Sequence, residues 1–68
     1  MAVVKVIELL AESEVSWEKA TQEAITEAAK TVRNIKTVYV ESMQAIVQDN
    51  KIVQYRVNAK VSFVVGDQ

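Results

Sequence analysis

Over residues 53–65 apolar and polar side chains alternate, interrupted only by Val64, which restricts the chain to folds that contain a long strand. Successive side chains of a strand point to opposite faces of a sheet, so this pattern predicts one buried face and one polar face. The apolar positions are Val53, Tyr55, Val57, Ala59, Val61, Phe63 and Val65, and the polar positions are Gln54, Arg56, Asn58, Lys60 and Ser62.

A second long strand is predicted over 36–48. Asp49 and Asn50 separate it from the strand over 51–65, and both residue types tolerate the positive φ of a two-residue hairpin turn. In the register set by that turn, the numbers of opposed residues add up to 99, and a bulge would shift it. Met43 then opposes Arg56, and Glu41 lies diagonally beside Arg56. We expect an Arg56–Glu41 ion pair, with an anion or phosphate contact in a cavity between subunits as the alternative.

The period becomes helical from Trp17 to about Arg33, where small apolar residues recur every three or four positions. Ser16 is the best N-cap, because its hydroxyl can accept from the free amides of the first turn. Glu18 suits the positive end of the helix dipole. Lys30, Arg33 and Asn34 are expected to mark the end of the helix.

The β-branched run over 2–10 predicts a first strand, and 11–16 predict a loop. The order strand, helix, strand, strand predicts an α+β fold, β-α-β-β, with a three-stranded antiparallel sheet against one helix. A right-handed crossover places the last strand in the centre.

The predicted helix is much shorter than the predicted hairpin. About 17 helical residues span roughly 26 Å, whereas a strand of about 13 residues spans roughly 40 Å. The turn end of the hairpin should therefore overhang the helix and form an interface. The overhanging residues are Ile46, Val47, Ile52, Val53 and Tyr55.

The composition narrows the function classes. The 68 residues contain no Cys and no His, which removes disulfides, thiolate metal sites and the most common catalytic base. We therefore expect no enzyme activity, and self-association is the remaining route to stability for so small a chain. A net charge of −1 argues against nucleic-acid binding. The sequence predicts no membrane-spanning segment and no signal peptide. One cytoplasmic domain over 1–68 is therefore expected.

Several strings, in their order and spacing, resemble the dodecin family. They are Val-Ile-Glu-Leu-Leu at 6–10, Ser-Trp-Glu at 16–18, Thr-Val-Arg-Asn-Ile at 31–35, Tyr-Arg-Val at 55–57 and Lys-Val-Ser-Phe at 60–63. The resemblance implies a bent sheet that wraps one helix, and twelve identical copies that form a hollow sphere. It also implies a small ligand held by that homododecamer.

The best-known dodecins bind flavin between a Trp at the start of the second strand and a Gln in the last strand. By resemblance these ligand positions are Thr37 and Arg56 here. Thr37 has no aromatic face, and Arg56 donates hydrogen bonds but cannot accept them. The resemblance therefore locates the ligand positions while arguing against flavin as the cofactor.

The same departures resemble the calcium dodecin subgroup, which shares Ser-Trp-Glu at the helix start and Arg in the last strand. Calcium takes six to eight oxygen ligands, and Glu12, Glu14 and Glu18 cluster around the helix start. A solvated acidic loop explains these residues equally well. A calcium-holding dodecamer is the first hypothesis, and a flavin-storing dodecin or a structural assembly without a dedicated ligand are the alternatives.

Overall fold

A computed structural model describes residues 3–66. In chain order it contains β1 (Val3–Ser13), α1 (Trp17–Ala28), β2 (Ile35–Gln48) and β3 (Lys51–Val65). β3 lies between β1 and β2 and is antiparallel to both, so the predicted β-α-β-β topology with a central last strand is confirmed. No helix within residues 3–66 could span a bilayer.

The two faces of the sheet differ. α1 packs on one face, here called the helix face, where Ala20 and Ala24 contact Val57 and Ala59. Small residues on both sides let the helix lie close to the sheet. The opposite face, here called the open face, has no helix against it in the described part of the chain. In β3 it carries Arg56, Asn58, Lys60 and Ser62, which are half-buried.

The helix begins where the sequence predicts and ends earlier. The Ser16 hydroxyl accepts a hydrogen bond from the Lys19 amide at 2.9 Å, which confirms the N-cap. The helix stops at Ala28 and not near Arg33, so that prediction is wrong. The Ala28 carbonyl accepts from the amide and the hydroxyl of Thr31, and this tight turn ends the α-helical pattern.

The first strand is longer than predicted. β1 continues to Ser13, so Ala11 and Ser13 lie in the sheet, opposite Val57 and Tyr55. The predicted loop over 11–16 is therefore wrong in its first half. The local composition does not predict this extension of the strand, because residues 11–13 are held in the sheet by their pairing with β3.

The hairpin turn is confirmed, and the register of the hairpin is only partly as predicted. Asp49 and Asn50 have φ values of 53° and 65°, and Val47 opposes Ile52 as expected. Over residues 42–46 the pairing is shifted by one residue, with a bulge at each end of this segment. From residue 40 back to residue 37 the predicted pairing resumes. The shift turns Ser42 and Gln44 to the open face and Met43 and Ala45 to the helix face, because adjacent strand residues point oppositely.

The turn end of the hairpin has no cover in the described part of the chain. β1 ends opposite Tyr55 and α1 begins at Trp17, so residues 46–53 project as a two-stranded segment, here called the hairpin arm. Val47 and Ile52 face each other in it and are 56% and 52% exposed. The chain is 51 Å long, whereas twelve helical residues span only about 18 Å. The predicted overhang is confirmed for residues 46–53, but it was wrong for Tyr55, which is paired with β1 and packs against Trp17.

Candidate functional site

Arg56 is the centre of a polar cluster on the open face. Its Nε donates to Glu12 Oε2 at 2.7 Å, its Nη2 forms an ion pair with the same oxygen at 2.5 Å, and its Nη1 donates to Gln44 Oε1 at 3.4 Å. Arg56 therefore ties together all three strands. The predicted partner Glu41 is wrong, because the bulges bring Gln44 opposite Arg56 and β1 supplies Glu12 from the other side.

A pocket of about 200 Å³ lies beside this cluster. Its lining is mostly polar. The Asn58 Oδ1 atom is buried and has no hydrogen-bond partner among the described residues. A buried carbonyl oxygen without a donor costs free energy, so this acceptor is a place where a ligand could bind favourably. The lining residues are Leu10, Ser42, Gln44, Arg56 and Asn58.

Trp17 joins the helix start to the same cluster from the helix face. Its Nε1 donates to the Gln44 carbonyl oxygen at 2.9 Å, and its ring meets Tyr55 edge to face with centroids 4.9 Å apart. Trp17 therefore packs against β2 and β3 at the start of the helix. Gln44 is thus held by Trp17 through its backbone and by Arg56 through its side chain, so the wall of the pocket depends on both faces.

Glu41 pairs with another cation of the open face. Its carboxylate lies 3.0 Å from Lys60 Nζ, and each side chain is less than half exposed. The hydrogen bond from Lys60 to Glu41, reinforced by the charge of that carboxylate, raises the pKa of Lys60 above its usual value. This pair is separate from the Arg56 cluster.

One chain does not bring the two family ligand positions together. The Thr37 hydroxyl is hydrogen-bonded to that of Ser62, which opposes it across β2 and β3. Ser62 lies six residues from Arg56 along β3, which corresponds to about 20 Å. A ligand that touches both Thr37 and Arg56 would need them from different copies of the chain.

The three acidic residues predicted as metal ligands also do not form one site within a chain. Glu12 lies on the open face in its ion pair with Arg56, Glu14 lies in the loop before α1, and Glu18 is in the first helical turn. Within residues 3–66 no three Asp or Glu side chains come close enough to hold a metal ion. A pocket of about 250 Å³ includes Glu18, but Lys19 lines it as well.

The comparison with known families agrees with this architecture. The family model described as Dodecin matches residues 3–66, which is nearly the whole chain. The chain belongs to the dodecin family. The resemblance seen in the sequence is thereby confirmed, and so is the dodecin type of β-α-β-β fold.

Individual dodecins show how close the relationship is. Calcium dodecin from Mycobacterium tuberculosis is 35% identical over 63 residues, which cover 93% of this chain and 89% of that protein. Its crystal structure, described as calcium-chelating with a novel calcium-binding site, has a TM-score of 0.79 at 34% identity. That comparison covers 90% of this chain and 87% of that one. A variant of the Thermus thermophilus dodecin gives a TM-score of 0.91 at 28% identity, covering 98% and 100%.

Four pocket residues were not anticipated from the sequence, namely the apolar Leu10 and the polar Ser42, Gln44 and Asn58. Asn58 could have been found, because it lies two residues after Arg56 in the last strand and therefore on the same polar side. Ser42 and Gln44 could not, since the simple hairpin register turns both toward the helix. Only the bulges bring them beside Arg56.

Proposed function

We propose that this protein is a small-ligand binding and storage protein that works as a hollow homododecamer and binds calcium in preference to flavin. Support for the assembly comes from the surface of the single chain. Support for calcium comes from its similarity to a calcium-chelating dodecin and from the acidic residues near the helix start.

The observation that carries the assembly is the area that one chain leaves in contact with water. Its accessible surface is 5088 Å², whereas a monomeric protein of 7.6 kDa is expected to expose about 4,300 Å². The excess of about 800 Å² equals the share that one partner contributes to a standard protein interface. Large apolar side chains on the surface include Leu10, Tyr39, Met43, Val47 and Ile52.

The chain's own core cannot offset this exposure. The largest fully buried side chains are Val57 and Val61, and the helix contributes only alanines to the buried set. Burial stabilises a fold roughly in proportion to the apolar area buried. A core this small therefore leaves the folded state of a solitary chain only marginally stable. Copies that cover the apolar surface would supply the missing stability.

Light scattering coupled to size exclusion tests the assembly directly. We expect a species with the mass of about twelve 7.6-kDa chains at micromolar concentration. A stable, folded 7.6-kDa species under the same conditions would contradict the proposal.

For calcium, Glu14 and Glu18 are the better candidates of the predicted three. Glu12 is already paired with Arg56, whereas Glu14 and Glu18 are exposed and make no ion pair with another described residue. Two carboxylates are too few for a calcium ion, so neighbouring copies would have to supply further oxygens. The site would then exist only in the assembly.

Calorimetric titration of the assembled protein with calcium tests this site. We expect the Glu14→Gln/Glu18→Gln double variant to bind at least about tenfold more weakly, because calcium affinity follows the number of charged ligands. Glu23→Gln is the matched control, since Glu23 is an exposed glutamate further along α1. Absence of binding heat in the unmodified protein would remove calcium and leave the structural assembly.

The flavin alternative is weakened by the contacts at its two positions. The Thr37 hydroxyl is engaged with Ser62, and the guanidinium of Arg56 is engaged with Glu12 and Gln44. Thr37 has no aromatic face to stack on the flavin ring, and Arg56 has no acceptor for a ring N–H. Purified protein that absorbs blue light with a flavin spectrum would favour this alternative over the calcium proposal.

A further inference from the structure

The pocket beside Arg56 has a chemistry that differs from that of a cation site. Its lining presents the Ser42 hydroxyl, the side-chain amides of Gln44 and Asn58, and the guanidinium of Arg56. No carboxylate is among the lining residues, and Glu12 is held in its ion pair with Arg56. A lining rich in hydrogen-bond donors suits an oxyanion.

The guanidinium still has donors to offer. It carries five N–H groups: Nε donates to Glu12, Nη1 donates to Gln44, and one N–H of Nη2 faces Glu12 in the ion pair. Two N–H groups therefore remain after the contacts with described residues are counted. Gln44 accepts through Oε1, which leaves its NH₂ group available. Because Glu12 offsets the charge of Arg56, a ligand in the pocket would be held by directed hydrogen bonds more than by net charge.

Asn58 sets a further requirement. Its Oδ1 is a buried acceptor without a partner among the described residues, so a ligand that fits must donate a hydrogen bond to it. Arg56 and Asn58 are two residues apart on the same face of β3, a separation of about 7 Å. A tetrahedral ion can bridge that distance, accepting from Arg56 at one side and donating to Asn58 at the other.

We infer that this pocket binds a phosphate group that retains a proton. Its unprotonated oxygens accept from Arg56, Gln44 and Ser42, and its P–OH donates to Asn58 Oδ1. Sulfate has the same shape but carries no proton near neutral pH, so Asn58 discriminates against it. Glu12 fixes the orientation of the guanidinium and, by offsetting its charge, keeps the affinity low. The inference is independent of the calcium proposal, because it uses other side chains.

Calorimetric titration of the unmodified protein with inorganic phosphate and with sodium sulfate, at neutral pH, provides the main test. We expect phosphate to bind at least about tenfold more tightly than sulfate, because sulfate leaves the buried acceptor unpaired. Asn58→Ala should bring the two affinities within about twofold of each other. Equal affinities in the unmodified protein would overturn the inference without any need for a variant to fold.

Two charge variants locate the site. Arg56→Gln should abolish phosphate binding, and Glu12→Gln should strengthen it about tenfold by removing the competing carboxylate. Lys51→Gln removes a cation from the distant hairpin turn and is the matched control. Unchanged binding in Arg56→Gln, or a loss equal to it in Lys51→Gln, would refute the assignment. Methyl phosphate and inorganic phosphate, compared at about pH 5 where both keep a P–OH, identify the source: tighter binding of the ester supports a phosphate ester, and weaker binding supports the free ion.

Discussion

Replacing Val47 by glutamate should prevent assembly while leaving the single chain almost unchanged. Val47 and Ile52 oppose each other in the hairpin arm and are 56% and 52% exposed. Full burial of such a side chain stabilises by about 1.5–3 kcal/mol, so covering the exposed half contributes about 1 kcal/mol for each residue. A glutamate at position 47 removes this and places a carboxylate where a neighbour would pack, which costs several kcal/mol.

The same substitution in an isolated chain has a small effect. Substitutions at exposed positions usually change the free energy of unfolding by about 0.5 kcal/mol or less. The cost therefore falls on the contact between copies and recurs at every equivalent contact of the assembly. Light scattering should show a fall from the assembled mass to monomers or small oligomers at micromolar concentration.

Two further variants make the result interpretable. Gln48→Glu adds the same charge at the next position of the arm, on the opposite side of the strand, and should leave the assembly largely intact. Val47→Ala adds no charge and should raise the concentration at which the assembly dissociates without abolishing it. If Val47→Glu retains the full mass and the same dissociation concentration, the arm is not an interface and the reasoning from its exposure is wrong.

Two predictions concern the fold of the chain. Trp17→Phe keeps an aromatic ring near Tyr55 but loses the hydrogen bond to the Gln44 carbonyl oxygen. Urea unfolding followed by circular dichroism should show a free energy of unfolding lower by about 1 kcal/mol. No change would show that this hydrogen bond contributes nothing to stability. Because Glu41 raises the pKa of Lys60, the stability from this pair is fully present below pH 10.5 and is lost as the pH rises through the raised pKa. Unfolding measured up to strongly alkaline pH should show that loss, and Glu41→Gln should remove it; identical profiles would contradict the pair.

The predictable part of the fold rests on local physical chemistry. The alternation along the last strand fixes which of its residues are buried, and the structure buries Val57, Ala59, Val61 and Phe63 as expected. Ser16 could be assigned as a cap because only a short polar side chain can reach the free amides of the first turn. The Asp49–Asn50 turn was predictable for a similar reason, since both residues adopt positive φ.

The errors occur where distant strands compete with local preference. The composition of residues 11–13 favours a loop, but pairing with β3 holds them in β1 and so delivers Glu12 to Arg56. The helical pattern continues past Ala28, but the hydrogen bonds of Thr31 end the helix there. Neither contact is visible in a local window of sequence.

Local sequence patterns were enough to predict the order of the elements, the buried side of the central strand, the hairpin turn and the excess of strand length over helix length. All of these follow from the period of side-chain directions and from the backbone preferences of single residues. The surroundings of Arg56 could not be predicted in this way, because two bulges turn Ser42 and Gln44 to its side of the sheet. A shift of one residue exchanges the two faces of a strand, and where it occurs depends on how all three strands and the helix fit together.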